Sequence, residues 1–352
     1  GVHGSRLVHF ANEAEAVAAA ESAHAANEAE FEAKFTSYTP TGDIRTIVFL
    51  VQFSDEAAPA TTETNYAQTM TTVNTYWNIN SYGLSQYTPI EYEIITLSNS
   101  KSSYSSGGST CPIDFGKSSL LDDDVWAASS NLEGDYQRYL ILFTEFTACP
   151  WAGLGSIAAS GTWINGLFDA TAHWHIAAHE LGHNYAFRHA NAWYGGGTSP
   201  VGSSGQTLPY GDDFDIMGAV TIDTDRSSFH VNTHKKHGVG WISDSDRQTA
   251  SASGQYRIFS HDAIDSNSGV RAVRIRRGSG SSTWYWLEYR QNIAYAPATP
   301  YFSNGINVHW AYELSSFETE TDLLDLTPAF MTENLYDDLL VNSPLQIGRT
   351  FS

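Results

Sequence analysis

The chain has 352 residues, with 39 acidic against 18 basic side chains and a formal net charge of −21. This excess of negative charge repels phosphate backbones and anionic lipid surfaces, so neither nucleic acids nor membranes are expected as partners. Hydrophobic residues make up 41% of the sequence, yet no apolar run approaches the roughly 20 residues that a membrane-spanning helix needs.

Helical and extended segments alternate along the first two thirds of the sequence. Residues 11–35 are dense in Ala and Glu, the strongest helix formers, and predict a surface helix. This segment could equally be the tail of a propeptide. We treat residues 1–40 as an N-terminal helical segment. The pattern then predicts a core strand at 44–53, a helix at 65–79, a strand within NSYGLSQYTPIEYEII, and strands at 136–143 and 161–168. A long helix should follow from Asp169 to about Ala186, capped by Asp169 or Thr171.

Short strands without helical periodicity follow Trp241. They are YRIFS, VRAVRIRR, STWYWLEYR and GINVHWAYEL, and they predict an all-β sandwich. The string DSDRQTASASG, near residues 244–254, has the composition of a linker. The sequence therefore predicts an α+β protein with a catalytic domain at 41–245 and a C-terminal β-sandwich domain at 246–352.

The chain contains two cysteines, Cys111 and Cys149, and no CxxC motif. A single disulfide is the simplest interpretation, and two buried free thiols are the alternative. Such a bridge would close a loop of about 38 residues and stabilise the fold by roughly 3–4 kcal/mol. No signal peptide opens the sequence, which fits a cytosolic protein or a mature exported one.

The string HELGHNYAFRH, residues 179–189, carries the strongest chemical signal. Helix positions four apart differ by only about 40° around the axis, so His179 and His183 can present both imidazoles to one metal ion. Glu180 lies beside them, close enough to the metal to take a proton from water.

The third histidine, His189, can join them only if the helix ends early. Ten residues of continuous helix would separate His189 from His179 by about 15 Å, whereas zinc–nitrogen distances are about 2.0 Å. The helix must therefore stop just after His183, and a residue of positive φ at position 186 would turn the chain back. Here that residue is Ala186. The alternative is a set of helix-surface histidines that bind no metal.

HELGHNYAFRH is similar to the extended zinc signature of the metzincins, HExxHxxGxxH. Ala186 stands where that family usually has Gly, and an alanine of positive φ should cost on the order of 1–2 kcal/mol. Downstream, YGDDFDIMG (210–218) resembles the methionine turn that these enzymes place beneath the metal, and Met217 would be its floor residue.

Within the metzincins the resemblance is strongest to gametolysin-type peptidases and related bacterial exported metallopeptidases, over roughly residues 41–243. It rests also on NSYGLSQYT, CPWAGLGSIAASGTWING and HVNTHKKHGVGWI, and WYWLEYRQ, GINVHW and LLDLTP resemble the β-sandwich that follows the catalytic unit. The resemblance implies a twisted mixed sheet with a zinc-binding helix, then a jelly-roll-like domain.

It further implies a secreted, extracellular zinc endopeptidase, a monomer acting on extracellular-matrix or cell-wall proteins. His179, His183 and His189 would hold Zn²⁺, and Glu180 would be the catalytic base. The strand GTWINGLF would be the sheet edge against which an extended substrate pairs.

Other polar clusters leave alternatives open. His230, His234 and His237 could form a second metal site, although solvated helix residues are favoured; His173 and His175 are expected to be packing or surface groups. Calcium is a further candidate cofactor, but a solvated acidic loop is favoured, because the calcium-loop pattern is absent. The aspartates concerned are Asp122, Asp123, Asp124, Asp212, Asp213 and Asp215.

Two rival functions remain at this point. The β-sandwich could act as a binding or adhesion module beside a vestigial zinc site, for which Ala186 is the support. Alternatively, the chain could be a latent zymogen in which residues 1–40 lie across the cleft.

Overall fold

The computed structural model of the protein describes residues 40–56, 63–105, 110–113, 120–166, 173–196, 199–202, 205–218, 229–262, 269–278, 281–291, 305–312, 320–326 and 343–346. The predicted helix at 11–35 lies outside the described residues. Residues Thr39–Ser352 form one compact unit.

Helices and strands are interspersed up to residue 238, and the elements described after that residue are strands. The helices are α1 (Glu63–Asn80), α2 (Leu120–Ala128), α3 (Trp174–Asn184) and α4 (Thr233–Gly238), and two short 3₁₀ helices span Lys101–Tyr104 and Glu133–Asp135. The strands are β1 (Gly42–Gln52), β2 (Ser85–Thr96), β3 (Arg138–Phe143), β4 (Gly153–Gly155), β5 (Gly161–Asn165), β6 (Ala190–Tyr194), β7 (Gln206–Leu208), β8 (Arg247–Thr249), β9 (Ala272–Arg276), β10 (Thr283–Glu288), β11 (Gly305–Tyr312), β12 (Thr321–Leu324) and β13 (Leu345–Gln346).

Strands β1–β5 form a mixed sheet with the order β2-β1-β3-β5-β4. Strands β1, β2, β3 and β5 are parallel, and β4 is antiparallel to β5. Apolar side chains of β1 and β3 alternate between the two faces. Ile141 and Phe143 lie in a core with Leu121 and Val125 of α2, while the guanidinium of Arg138 reaches the carbonyl of Asn184 at the end of α3. The sheet thus separates α2 from α3.

The disulfide prediction is confirmed, because Cys111 and Cys149 are bonded at a sequence separation of 38. Cys149 is buried in the core beside α2, and Cys111 packs against it. The bridge joins the connection between β2 and α2 to the connection between β3 and β4 on this face of the sheet.

The second sheet has the order β7-β6-β12-β11-β10-β9-β8, with β13 paired to β11. Most neighbours are antiparallel, but β12 runs parallel to β6 and β8 parallel to β9. The α+β class is observed, with two mixed sheets. The domain boundary near residue 245 stays a prediction, and so does the jelly-roll form; the strands described beyond residue 246 share one sheet with β6 and β7.

The predicted start of the long helix is wrong. Helix α3 begins at Trp174, its N-cap is His173, and no side chain makes the capping hydrogen bond. Asp169 and Thr171, the predicted caps, lie outside the described residues. None of the described helices is long and apolar enough to cross a membrane.

Candidate metal centre

Three imidazoles converge at the end of α3. His179 and His183 lie one turn apart on this helix, with ring centroids 5.1 Å apart, and the ring of His189 lies 5.6 Å and 4.9 Å from them. One nitrogen from each ring falls within 4.8 Å of the other two. Among the described residues no other group of three potential ligands comes this close together.

The chain returns to the helix through a tight C-terminal turn. The N–H of Ala186 donates to the carbonyl of His183 at 2.8 Å, and that of Phe187 donates to the carbonyl of Gly182 at 3.1 Å. These two bonds form a Schellman motif, which needs a left-handed residue at the position of Ala186. Its φ is indeed +67°. Positive φ at Ala186 is therefore confirmed, and it is what brings His189 back to the helix.

Backbone carbonyls orient two of the imidazoles. Nδ1 of His179 donates to the carbonyl of Ile216 at 2.7 Å, and Nδ1 of His183 donates to that of Phe187 at 2.7 Å. Because Nδ1 carries the proton, Nε2 of each of these two rings has a free lone pair. This is the usual arrangement of metal-binding histidines.

Burial keeps the three rings neutral. It lowers the pKa of His179, and burial together with the neighbouring imidazoles lowers the pKa of His183 further. Burial also lowers the pKa of His189 to about 3. Neutral imidazole is the form that binds metal, so the donor set fits a cation that prefers nitrogen.

Glu180 is buried beside the triad. Its Oε2 lies 4.0 Å from Nε2 of His183. Burial raises the pKa of Glu180 to about 8, and a hydrogen bond from the backbone N–H of Gly155 opposes that effect. A raised pKa makes this carboxylate a stronger proton acceptor than an exposed glutamate.

Strand β4 packs directly against the helix that carries Glu180. A Cβ atom at Gly153 would lie 2.6 Å from Cγ of Glu180, and one at Gly155 would lie 2.2 Å from its backbone oxygen. Only glycine permits such an approach at these two positions. The strand therefore fixes the lateral position of the carboxylate.

The expectation that residues 161–168 form the sheet edge is wrong. Strand β5 lies between β3 and β4, and Leu154 of β4 pairs with Trp163. Within the described residues β4 is the outer strand next to α3. The Gly-Leu-Gly string of β4 has no strand periodicity, so the sequence pattern does not reveal it.

Met217 lies beneath α3. It is fully buried, and a Cβ atom at Gly182 would come within 2.3 Å of its sulfur. Its carbonyl accepts a hydrogen bond from Ala190, the residue after His189, at 2.9 Å. The turn thus contacts both chain segments that carry the histidines.

A buried ion pair holds this turn in place. Asp215 accepts hydrogen bonds from the N–H of Met217 at 2.9 Å and from Nζ of Lys235 at 3.1 Å. Asp212 accepts from His309 of β11 at 2.9 Å. The expected solvated acidic loop is wrong here, because these aspartates are 0% exposed and pair with groups far away in sequence. Asp122 is also buried, and it accepts from the indole N–H of Trp163 at 2.8 Å.

The three histidines after the methionine turn contact neighbouring side chains. His230 is 1% exposed and lies 3.1 Å from Nζ of Lys236. The ring of His234 packs on Trp286, and His237 contacts Asp244. The expectation of solvated residues is therefore wrong for His230, and the three do not form a metal group within the described structure.

Tyr210 is a site residue that the sequence pattern missed. Its ring centroid lies 3.9 Å from that of His189, its φ is +59°, and it is 37% exposed. A non-glycine residue of positive φ beside a functional site is strained unless its surroundings hold it. Tyr210 opens the string YGDDFDIMG, but no feature of the sequence indicates that its ring contacts His189.

Comparison with known proteins identifies the family. The model of the gametolysin peptidase M11 family matches residues 72–309, a span that includes the three histidines, Glu180 and Met217. A search of curated proteins found no match. Because the match covers more than half of the 352 residues, the chain belongs to the gametolysin peptidase M11 family of metallopeptidases.

Proposed function

We propose that this chain is a secreted zinc endopeptidase that hydrolyses peptide bonds of extracellular or cell-wall proteins, with Glu180 as general base. The observation that carries the proposal is the convergence of His179, His183 and His189, with nitrogens within 4.8 Å, beside that buried carboxylate. Family membership supplies the reaction class, which is hydrolysis of proteins or peptides.

The donor set favours zinc. Three neutral imidazoles suit zinc, whereas calcium and magnesium prefer oxygen ligands. A zinc ion held by three protein ligands keeps an open position, where it can lower the pKa of a water molecule and polarise a substrate carbonyl. Met217 would support the helix from below, as in the methionine turn it resembles.

Glu180 would move the proton. In the proposed reaction its carboxylate removes a proton from the attacking water and returns it to the amine of the departing peptide. Its contacts suit this role, since the N–H of Gly155 and the close approach of Gly153 restrict where the carboxylate can lie.

Strand β4 would bind the substrate backbone. An extended peptide can add to an outer strand by main-chain hydrogen bonds. Because β4 also contacts Glu180, a peptide paired with it would bring its carbonyls close to the base. This assignment replaces the one that sequence analysis gave to residues 161–168.

Secretion is supported by the disulfide between Cys111 and Cys149, since such bonds persist in oxidising compartments. We further propose a monomer without nucleic-acid or membrane partners, from the charge of −21. The adhesion alternative loses its argument, because Ala186 adopts the φ of +67° that the metal site requires. Inhibition by residues 1–40 stays a prediction, and a rise in activity on their removal would support it.

The test is the substitution Glu180→Gln. The variant should bind zinc like the original chain and lose peptidase activity by about 100-fold to 10,000-fold. The matched control is Glu133→Gln, an exposed glutamate in the 3₁₀ helix before β3. Unchanged turnover in Glu180→Gln would refute the role of Glu180.

A further inference from the structure

Tyr210 and Glu320 come together beside the His189 ring. The Tyr210 ring lies 3.9 Å from that of His189 and 6.2 Å from that of His179, and the residue is 37% exposed. Glu320 lies 110 residues further along the chain, immediately before β12 of the second sheet, and it is exposed. Neither residue is part of the triad or its hydrogen-bonded carbonyls.

Strand register places Glu320 next to the metal centre. Thr321 of β12 pairs with Ala190 of β6 in a parallel ladder, so the preceding residues are Glu320 and His189. Adjacent strands lie about 4.8 Å apart, so Glu320 and His189 enter the ladder from neighbouring chain segments. The second sheet therefore contributes an acid to the border of the site.

One buried amide connects Glu320 with Tyr210. Nδ2 of Asn191 donates to Oε2 of Glu320 at 3.0 Å, while its Oδ1 accepts from the backbone N–H of Tyr210 at 2.9 Å. Asn191 is 3% exposed. This bridge links the carboxylate of Glu320 to the strained backbone of Tyr210.

The group that this bridge holds at the border of the site is an exposed carboxylate. A cationic group resting on the Tyr210 ring would be able to pair with this carboxylate.

We infer that Tyr210 and Glu320 form a subsite for a lysine or arginine side chain of the substrate, next to the bond that is cleaved. The aliphatic stem of such a side chain packs along an aromatic ring, and its charge interacts with the ring face and with the carboxylate. The inference rests on the proposed peptidase function, and it names the substrate class that this site selects.

The experiment uses the full zinc-loaded chain and fluorogenic peptides that differ at one position. Each position near the scissile bond carries in turn Lys, Arg, norleucine, Gln or Glu. At one position the original chain should cleave the Lys and Arg peptides with a kcat/KM about tenfold above the norleucine peptide. Glu320→Gln should lower kcat/KM for the Lys and Arg peptides to about that for the norleucine peptide, and Glu320→Lys should shift the preference towards Glu.

The amide of Glu320→Gln can still accept the hydrogen bond of Asn191, so the comparison isolates the charge. Glu133→Gln is the matched control and should retain the preference for Lys and Arg. An equal loss on every peptide would mean that Glu320 acts only by holding Asn191, and this result would overturn the inference. Efficient cleavage without any preference for Lys or Arg would overturn the subsite alone. If none of the peptides were cleaved, the proposed function would be overturned as well.

Discussion

Replacement of Gly153 by alanine should displace the carboxylate of Glu180, the proposed general base, without unfolding the protein. The new Cβ atom would lie 2.6 Å from Cγ and 2.8 Å from Oε1 of Glu180. Carbon atoms in ordinary contact are about 3.5–4.0 Å apart, so roughly 1 Å of movement is needed. The atoms in the way belong to a side chain, which can rotate, and a misplacement of about 1 Å can lower kcat/KM by about 100-fold.

Peptidase kinetics, zinc content and thermal unfolding of Gly153→Ala separate activity from stability. Gly134→Ala is the control, since a Cβ atom there meets nothing within 4 Å. Gly155→Ala provides the contrast, because its Cβ atom would meet the backbone oxygen of Glu180 at 2.2 Å and side-chain rotation cannot relieve that contact. We expect Gly155→Ala to lose about 1–3 kcal/mol of unfolding free energy. Full activity in Gly153→Ala would refute the reasoning.

Three further substitutions test the surrounding fold. Ala186→Gly should leave stability unchanged or raise it by about 1 kcal/mol, because glycine relieves the φ of +67°; a large loss in chemical denaturation would contradict this. Burial raises the pKa of Asp122 from 3.8 to about 7, so the folded state keeps a proton that the unfolded state releases. The contribution of this proton to stability is lost as the pH rises through 7. Asp122→Asn should therefore reduce the change of the unfolding free energy between about pH 4 and pH 8, by on the order of 4 kcal/mol at most. An unchanged pH profile would refute the burial effect. Replacing Cys111 and Cys149 together by serine should lower the unfolding free energy by roughly 3–4 kcal/mol, and an unchanged midpoint in urea would contradict it.

The metal centre could be predicted because its geometry is local. Helical periodicity places His179 beside His183, and the short zinc–nitrogen distance requires the chain to turn at position 186. Both conclusions follow from eleven consecutive residues, whatever the rest of the fold does. The observed φ of Ala186 agrees with that argument.

The outer strand and the second-sheet residues could not be predicted because they depend on distant pairing. Strand β4 is a three-residue Gly-Leu-Gly segment, and its role follows only from its ladder with β5. Glu320 reaches the site through the pairing of β12 with β6, across more than a hundred residues. No pattern within either segment indicates these neighbours.

The burial of the aspartates in the methionine turn could not be predicted for a related reason. A string such as YGDDFDIMG looks solvated, because acidic residues are usually exposed. Asp212 is buried by pairing with His309, 97 residues away, and Asp215 by pairing with Lys235. Burial of an acid depends on such a partner, and sequence proximity does not supply it.

X-ray absorption at the zinc edge tests the central claim most directly. The zinc-loaded chain should show one zinc ion with three imidazole nitrogens at about 2.0 Å, and His189→Ala should remove one of the three. A first shell with fewer than three imidazoles, or one that His189→Ala leaves unchanged, would contradict the assignment of His179, His183 and His189 as the metal ligands.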